Sequence, residues 1–264
     1  MSELDSDRVP DYFRQRNTVA EWWTPDEGPL AFHYDAELKV LEDVLVIDPA
    51  WRVLDVGTGR GRFGAFFATR GCDVWGIDLN PEMVELARET AERRGVSERF
   101  TIEAGSATDL AVYAQAPRDL VLCMELFDHL PDLPLALREL RSATADSGRF
   151  AFTYVPSESL YGALGNVYRA VKRRWRPQEL LISRTYGLTE IRSLLADAGF
   201  ELEGHWGVGV LCLNAQTRLF EQNWLARALT GLARLEARIR PYHRGRLARH
   251  GAHVVGIARP VRGA

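Results

Sequence analysis

Apolar runs alternate with helical stretches through the middle of the chain. The runs have the composition of buried strands, and they are Val53–Asp55, Asp73–Asp78, Phe100–Glu103, Asp119–Met124 and Arg149–Val155. The clearest helical stretches between them are Pro81–Arg94 and Leu133–Ala143. Strands that alternate with helices predict an α/β fold with a doubly wound, mostly parallel, Rossmann-like sheet, whose ligands bind at the carboxyl ends of the strands.

The C-terminal third of the chain predicts the rest of the sheet. A helix is expected at Thr189–Ala198, and leucines near helical spacing predict an amphipathic helix, in one or two pieces, within Gln216–Arg249 and ending at Pro241. Glu201–Val210 and His253–Ala258 have the pattern of two more strands, which we expect to form an antiparallel edge pair. The predicted sheet therefore has seven strands.

A glycine-rich turn follows the first strand, where Val53–Gly64 has the sequence V-L-D-V-G-T-G-R-G-R-F-G. Glycines at positions 57, 59 and 61 allow a tight turn and let a ligand approach the backbone with no Cβ in the way. Asp55 ends this strand, and Asp78 ends the next one. The turn and the two acids predict a ligand-binding site.

Two kinds of ligand could bind this turn. Gly59–Gly64 fits the G-x-G-x-x-G pattern of dinucleotide-binding proteins, with Asp78 as the ribose acid. A pyrophosphate binds backbone N–H groups, however, and the carboxylate of Asp55 would repel it. S-adenosylmethionine (SAM) has a cationic end, a ribose that Asp78 can bind, and an adenine on which Leu79 and Met83 can pack.

Three motifs in order resemble one protein family. They are D-V-G-T-G-R-G from Asp55, G-I-D-L-N-P-E-M from Gly76 and L-C-M-E-L-F-D-H-L-P-D from Leu122. Together they make residues 50–155, and also Leu188–Phe200, similar to class I SAM-dependent methyltransferases of the small-molecule type that includes the quinone-biosynthesis methyltransferases.

The resemblance implies SAM as the cofactor and assigns residues to it. The methionine part would be held by Asp55, Gly57, Thr58, Gly59 and Gly61, with Met124 beside the methionyl chain. Asp78 would hold the ribose and Leu79 would line the adenine, while Ser106 and Ala107 would face the adenine edge. The family usually has an acid where this chain has Ser106, and a hydroxyl accepts a hydrogen bond less strongly than an ion does.

The resemblance also implies a domain organisation. Residues 1–49 would form an N-terminal helical lid, although simple packing on the core edge would equally explain its aromatic residues, which include Tyr12, Phe13, Trp22 and Trp23. Residues 50–264 would form the SAM-binding domain, with insertions at 156–188 and 211–249. We expect acceptor choice to depend on these added segments.

The first insertion contains Arg184 and Tyr186, which could line an acceptor pocket. It also contains a basic cluster, Lys172–Arg176, that could contact an anionic substrate or a membrane surface, or could be a solvated helix end. The amphipathic helix of the second insertion could cover the sheet edge or form the interface of a homodimer.

Composition narrows the class of protein. The 264 residues are 46% hydrophobic, which is enough for one sizeable core, and the net charge of −3 gives no reason to expect nucleic acid as a partner. The three cysteines are far apart and form no C-x-x-C pair, so free buried thiols are expected and no metal site is predicted. With no signal peptide and no apolar run approaching roughly 20 residues, we expect a cytoplasmic protein without membrane contact.

His129 is the candidate catalytic base. It follows the fourth strand, near the edge where the transferred methyl should point, and an imidazole pKa near about 6.5 suits proton transfer. A capping or packing role is the alternative, and His33 and His205 are weaker candidates. The expected reaction is methyl transfer to a small, partly apolar metabolite, at oxygen in preference to nitrogen or carbon.

Two other classes of function stay open. An NAD(P)-dependent oxidoreductase of the short-chain type would use Tyr168 and Lys172, which fit the Tyr-x-x-x-Lys pattern, although Phe63 replaces a glycine of that family's turn. A non-catalytic SAM-binding protein would use the same cofactor residues without turnover.

Overall fold

A computed structural model describes residues 8–14, 31–175, 183–212 and 224–261 of the chain. The strands are β1 (Arg52–Val56), β2 (Asp73–Asp78), β3 (Phe100–Ala104), β4 (Arg118–Cys123), β5 (Thr144–Tyr154), β6 (Phe200–Val208) and β7 (His253–Pro260). The α-helices are α1 (Val9–Arg14), α2 (Ala31–Val44), α3 (Arg62–Ala68), α4 (Pro81–Arg93), α5 (Ala111–Ala114), α6 (Leu133–Ala143), α7 (Leu160–Trp175), α8 (Leu188–Asp197) and α9 (Trp224–Ile239). Short 3₁₀ helices lie at Phe127–His129 and Gly245–His250.

The strands of the described residues form one sheet in the order β3-β2-β1-β4-β5-β7-β6. Neighbouring strands from β3 to β5 are parallel, whereas β7 is antiparallel to both β5 and β6. This arrangement confirms the predicted doubly wound, mostly parallel, seven-stranded sheet with an antiparallel edge pair. The strand order reverses direction between β1 and β4, which is where ligands bind in such folds.

The central strands are buried on both faces, which explains their continuous apolar sequence. In β4, Leu120 and Leu122 belong to the core beneath α2, α3 and α4, whereas Val121 and Cys123 belong to the core beneath α5, α6 and α8. All four side chains are fully buried. The two helical layers therefore hold the carboxyl ends of β1, β2 and β4 in fixed positions.

Two elements differ from the sequence pattern. The strand β5 begins at Thr144, five residues before the predicted Arg149, because Thr144 already pairs with Arg118 ahead of a register shift. The helix α2 spans Ala31–Val44, whereas the apolar residues before the first strand, taken alone, predict a helix at Val40–Ile47. The first turns of α2 bury polar and aromatic side chains, which give no apolar periodicity.

The predicted N-terminal lid separates into two parts within the described residues. The helix α2 packs into the core through Val40 and Leu41, both fully buried, whereas α1 lies at the carboxyl edge of the sheet beside His129. Trp22 and Trp23 lie outside the described residues. The boundary of the lid at residue 49 stays a prediction.

The two insertions contain the helices α7 and α9. Helix α7 exposes Leu164, Val167, Tyr168 and Trp175, and α9 ends at Ile239, close to the predicted stop at Pro241. None of the described helices is long and apolar enough to span a bilayer. Three cysteines are buried with free thiols, as predicted, and they are Cys72, Cys123 and Cys212.

Close packing of α3 on β3 depends on the missing side chain of Gly64. A Cβ built at this glycine would lie 2.2 Å from Cζ of Phe100, which is itself buried. We expect Gly64→Ala to lower the free energy of unfolding by about 1–3 kcal/mol, because the added methyl would overlap the buried ring of Phe100 and force the close-packed core to shift. Urea denaturation of the purified variants measures this change.

The matched control is Gly231→Ala in α9, where a Cβ would meet nothing within 4 Å. This helical substitution should be neutral or stabilising by up to about 1 kcal/mol. Equal effects of the two substitutions would contradict the packing argument.

Candidate active site

The glycine turn after β1 is fixed by the carboxylate of Asp55. Oδ2 of Asp55 accepts hydrogen bonds from Thr58 Oγ1 at 2.7 Å and from the backbone N–H of Gly64 at 3.0 Å. Gly57 and Gly61 have φ values of +72° and +77°, in the left-handed region that favours glycine. Asp55 is 1% exposed and therefore lies behind the turn.

Asp78 is the second carboxylate of the site, at the carboxyl end of β2. Its Oδ2 accepts a hydrogen bond from the N–H of Gly59 at 2.9 Å, and its Oδ1 accepts one from the N–H of Asn80 at 2.9 Å. Burial raises the pKa of Asp78, and these backbone hydrogen bonds oppose the rise. A carboxylate has about four lone-pair sites, so Asp78 can accept further hydrogen bonds from a ligand.

A cavity of about 370 Å³ opens at this edge of the sheet. Its volume falls in the usual range for small-molecule sites. The lining residues come from α1, the glycine turn, the ends of β2 and β3, and the loop after β4: Val9, Pro10, Phe13, Arg14, Gly57, Gly59, Asp78, Leu79, Asn80, Met83, Gly105, Ser106, Ala107, Thr108, Met124, Glu125, Leu126, His129, Leu130 and Pro131.

The cavity brings together nine of the residues assigned from the sequence. They are Gly57, Gly59, Asp78, Leu79, Met83, Ser106, Ala107, Met124 and His129. The structure does not place Asp55, Thr58 or Gly61 in the cavity wall. These three residues build the turn, and direct contact between them and a ligand stays a prediction.

Ser106 lines the cavity where the family usually has an acid. Its Oγ lies 2.9 Å from Oγ1 of Thr108 and 3.3 Å from the N–H of Thr108. The hydroxyl is thus engaged within its own loop. Leu79, Met83 and Ala107 supply apolar surface to the same cavity.

His129 lies in the 3₁₀ helix Phe127–His129 after β4 and lines the same cavity. Its ring lies 4.9 Å from the ring of Phe13 in α1, measured between centroids. Nε2 of His129 is 3.6 Å from Oδ2 of Asp128, although adjacent residues on a regular α-helix seldom face each other. A carboxylate therefore lies close to the candidate base, at a distance longer than a direct hydrogen bond.

The other two histidine candidates lie elsewhere in the described fold. His33 is buried in α2 against His253, and His205 lies in β6, and neither lines the cavity. Tyr186 is fully buried in the core and Arg184 stacks on its ring, with the guanidinium carbon 4.4 Å from the ring centroid. The structure therefore does not support the expectation that Arg184 and Tyr186 line an acceptor pocket.

Several residues of the cavity are not among those predicted from the sequence. Val9, Pro10 and Arg14 reach it from α1, and no motif marks them. Glu125 also lines the cavity and has a φ of +55°, the one positive value at a non-glycine position among the described residues. Its place directly after β4, inside the third motif, is a signal that could have identified it.

The Tyr-x-x-x-Lys pattern of the oxidoreductase hypothesis falls on α7. Tyr168 is 63% exposed and does not line the cavity beside the glycine turn. The pair therefore cannot act on a ligand held by that turn. The fold and the cavity instead have the arrangement of the SAM-dependent methyltransferase class.

Comparison with known proteins agrees with this class. Residues 47–199 match the family model of a methyltransferase domain. Ubiquinone biosynthesis O-methyltransferase of Xanthomonas euvesicatoria is 30% identical over 185 residues, which cover 69% of this chain and 76% of that protein. The enzyme of the same name from Bordetella avium is 28% identical over 197 residues, which cover 72% and 79%.

Solved structures share the fold. A SAM-dependent methyltransferase of Thermotoga maritima, described as a possible histamine N-methyltransferase, has a TM-score of 0.57 at 22% identity and covers 92% of this chain and 94% of its own. Magnesium protoporphyrin IX methyltransferase of Synechocystis, with bound S-adenosylhomocysteine (SAH), has a TM-score of 0.58 at 20% identity and covers 76% and 92%. The chain belongs to the methyltransferase domain family and is a SAM-dependent methyltransferase.

The burial of Asp55 makes stability depend on pH. Burial raises the pKa of Asp55 to about 6, and its hydrogen bonds with Thr58 and Gly64 oppose the rise. An acid whose pKa is higher in the folded state stabilises the fold through its protonated form. This contribution is complete below the pKa of the unfolded state, which is about 3.9. This contribution is lost as the pH rises through the folded pKa.

We therefore expect the wild type to lose stability relative to Asp55→Asn as the pH rises from about 4 to about 7. The difference between their free energies of unfolding should change by at most about 3 kcal/mol. Urea denaturation of both proteins across this range measures the difference, in which other titrating groups cancel. A difference that does not change with pH would contradict the raised pKa.

Proposed function

We propose that this enzyme transfers the methyl group of SAM to a hydroxyl oxygen of a small, partly apolar acceptor. One observation carries the proposal: a single cavity is lined both by Asp78 with the glycine turn and by His129 with α1. A methyl-donor site and a proton acceptor would therefore share one cavity. The names of the ubiquinone biosynthesis O-methyltransferases support oxygen as the accepting atom.

The residues of the cavity fit SAM. The half-buried carboxylate of Asp78 has lone pairs left for the ribose hydroxyls after its two backbone hydrogen bonds. Leu79, Met83 and Ala107 form an apolar surface for the adenine, and Met124 would lie beside the methionyl chain. When bound, SAM supplies an electrophilic methyl on a sulfonium. The glycine turn positions it, and Asp55 keeps that turn rigid.

The acceptor side of the cavity is mostly apolar. Val9, Pro10, Phe13, Leu126 and Leu130 contribute to its lining. Such a surface favours an acceptor with an aromatic or aliphatic body, and closure by α1 would exclude water from the methyl. Alignment of acceptor and methyl in this space can supply roughly 7–11 kcal/mol of the rate enhancement.

A hydroxyl acceptor must lose its proton, whereas a neutral amine need not do so before attack. His129 is the residue that we assign to this step, with Asp128 near enough to orient the ring and stabilise its charged form. Phe13 packs against the ring and limits its movement. Methylation at nitrogen or carbon is the less favoured form of the same proposal. A cytoplasmic location and a homodimer stay predictions.

The assignment of Asp78 predicts a loss of cofactor affinity. We expect Asp78→Ala to weaken SAM and SAH binding about ten- to a hundredfold, because the ribose loses hydrogen bonds to a charged acceptor. Asp78→Asn should have a smaller effect, since it keeps one carbonyl oxygen. Isothermal titration calorimetry measures both, and thermal melts report whether the variants are folded.

Asp73→Ala is the matched control, because Asp73 is an exposed acid at the opposite end of β2. It should bind SAH like the wild type. If Asp78→Ala kept wild-type affinity in the same titration, the ribose assignment would be wrong.

The assignment of His129 predicts a loss of turnover without a loss of cofactor. We expect His129→Ala to lower kcat about 10²- to 10⁴-fold on hydroxylated acceptors, while the Kd for SAH stays unchanged. Methyl transfer from labelled SAM to a panel of phenols and catechols, with matched anilines, measures the effect and tests oxygen as the accepting atom. Anilines should depend less on His129 than phenols.

His250→Ala is the control, because His250 lies outside the cavity and its Nδ1 is 3.1 Å from the backbone oxygen of Glu158. Its turnover should match that of the wild type. An unchanged kcat for His129→Ala would return His129 to a packing role. Transfer to anilines alone would refute oxygen as the accepting atom.

A further inference from the structure

Three ligand-type side chains meet in the interior behind the cavity. His33 and Glu37 lie four residues apart on α2, and His253 begins β7. All three are at most 2% exposed. Their ligand atoms lie within 4.8 Å of one another. Nothing in the proposed methyl transfer uses these side chains.

The distances within this triad, His33, Glu37 and His253, are short. Nδ1 of His253 lies 2.9 Å from Oε1 of Glu37 and 3.1 Å from Nε2 of His33. Nε2 of His33 lies 3.8 Å from Oε1 of Glu37. Four ligands at about 2.1 Å from a tetrahedral zinc ion lie about 3.4 Å apart, and the three observed distances lie on both sides of this value.

A fourth group lies beside the triad. Oε1 of Glu125 is 2.9 Å from Nδ1 of His253, so that one nitrogen has three close neighbours. A ring nitrogen carries at most one proton, which makes one good hydrogen bond. The convergence of three groups on this nitrogen is therefore poorly explained by hydrogen bonding, and it is typical of ligand atoms around a cation.

Two further features point to a ligand. Oε2 of Glu37 is buried and has no hydrogen-bond partner among the described residues, which is costly for a carboxylate oxygen. Glu125 has a φ of +55°, a strained backbone that persists only where its surroundings hold it. Both costs would be offset by a cation bound between the carboxylates and the imidazoles.

We propose that His33, Glu37 and His253 bind a first-row divalent metal ion, with Zn²⁺ as the ion that fits their spacing, and that the fourth coordination position faces Glu125. Imidazole and carboxylate are common ligands of this ion. The site joins α2 to β7 and to the loop after β4. It is a buried structural site, separate from Asp78 and His129.

The test uses the full-length protein, stripped with a chelator and then dialysed against Zn²⁺. Elemental analysis should find one Zn²⁺ per chain, and the melting temperature should rise with Zn²⁺ concentration, since an ion that binds only the native state stabilises it. Glu37→Gln keeps the side-chain shape, and His253→Asn replaces the ring by a smaller polar group. Each should weaken Zn²⁺ binding by at least about tenfold. Binding of Co²⁺ should give the strong visible absorption of a four-coordinate site.

His205→Asn is the matched control, a histidine substitution on the neighbouring strand β6 outside the triad. It should bind Zn²⁺ like the wild type. Less than one Zn²⁺ per wild-type chain, or wild-type binding in both Glu37→Gln and His253→Asn, would overturn the proposal. So would binding that is lost in Asp128→Asn but kept in Glu37→Gln, because the ion would then lie in the loop after β4.

The result does not depend on the proposed function. Binding of SAH is measured in the same samples, and it reports on the Asp78 side of the cavity. Zinc binding with no methyl transfer would leave the proposed metal site intact and refute the proposed function. Methyl transfer and SAH binding in a protein that takes up no Zn²⁺ would support the proposed function and refute the metal site.

Discussion

The hydrogen bonds of Asp55 hold together the turn on which the whole site is built. Its Oδ2 joins Thr58 in the turn to Gly64 in α3. Glycines lose much conformational freedom on folding, so a turn rich in them needs such a constraint to keep one shape. The burial that raises the pKa of Asp55 also keeps water from competing for these hydrogen bonds. A ligand therefore meets a surface that is already formed, which lowers the cost of binding.

The register of the parallel strands separates the roles of the two acids. Asp55 pairs with Gly76, so Asp78 lies two positions further along the common strand direction, roughly 6–7 Å nearer the carboxyl edge. Asp78 therefore reaches the cavity, whereas Asp55 stays behind the turn. The sequence predicts that Asp55 faces the cationic end of SAM. In the structure, the hydrogen bonds of Asp55 are made with Thr58 and Gly64 of the protein itself.

The predictable part of the fold is the part that is buried on both faces. β2 and α6 have the bounds that the apolar pattern predicts, because each buries a regular set of apolar side chains against the core. The first residues of β5 are polar, and α2 buries His33 and Glu37, so neither has a readable pattern. The motifs identified the residues on the glycine-turn side of the cavity, because those residues lie at fixed spacings within short segments of the sequence. The contribution of α1 depends on contacts between distant segments, which spacing does not record.

Glu125 links the two polar systems of the protein. It lines the cavity at the carboxyl edge of the sheet, and its Oε1 lies 2.9 Å from Nδ1 of His253 in the buried triad. Its backbone N–H donates to Oγ1 of Thr153 at 2.6 Å, and this hydroxyl lies 3.2 Å from Oε1 of the same glutamate. These contacts hold the residue in its left-handed conformation and thereby fix the loop that continues to His129. Because His33 and His253 are 220 positions apart, only the folded chain brings the triad to the back of this loop. Glu125 is thus in direct contact with both the buried triad and the cavity.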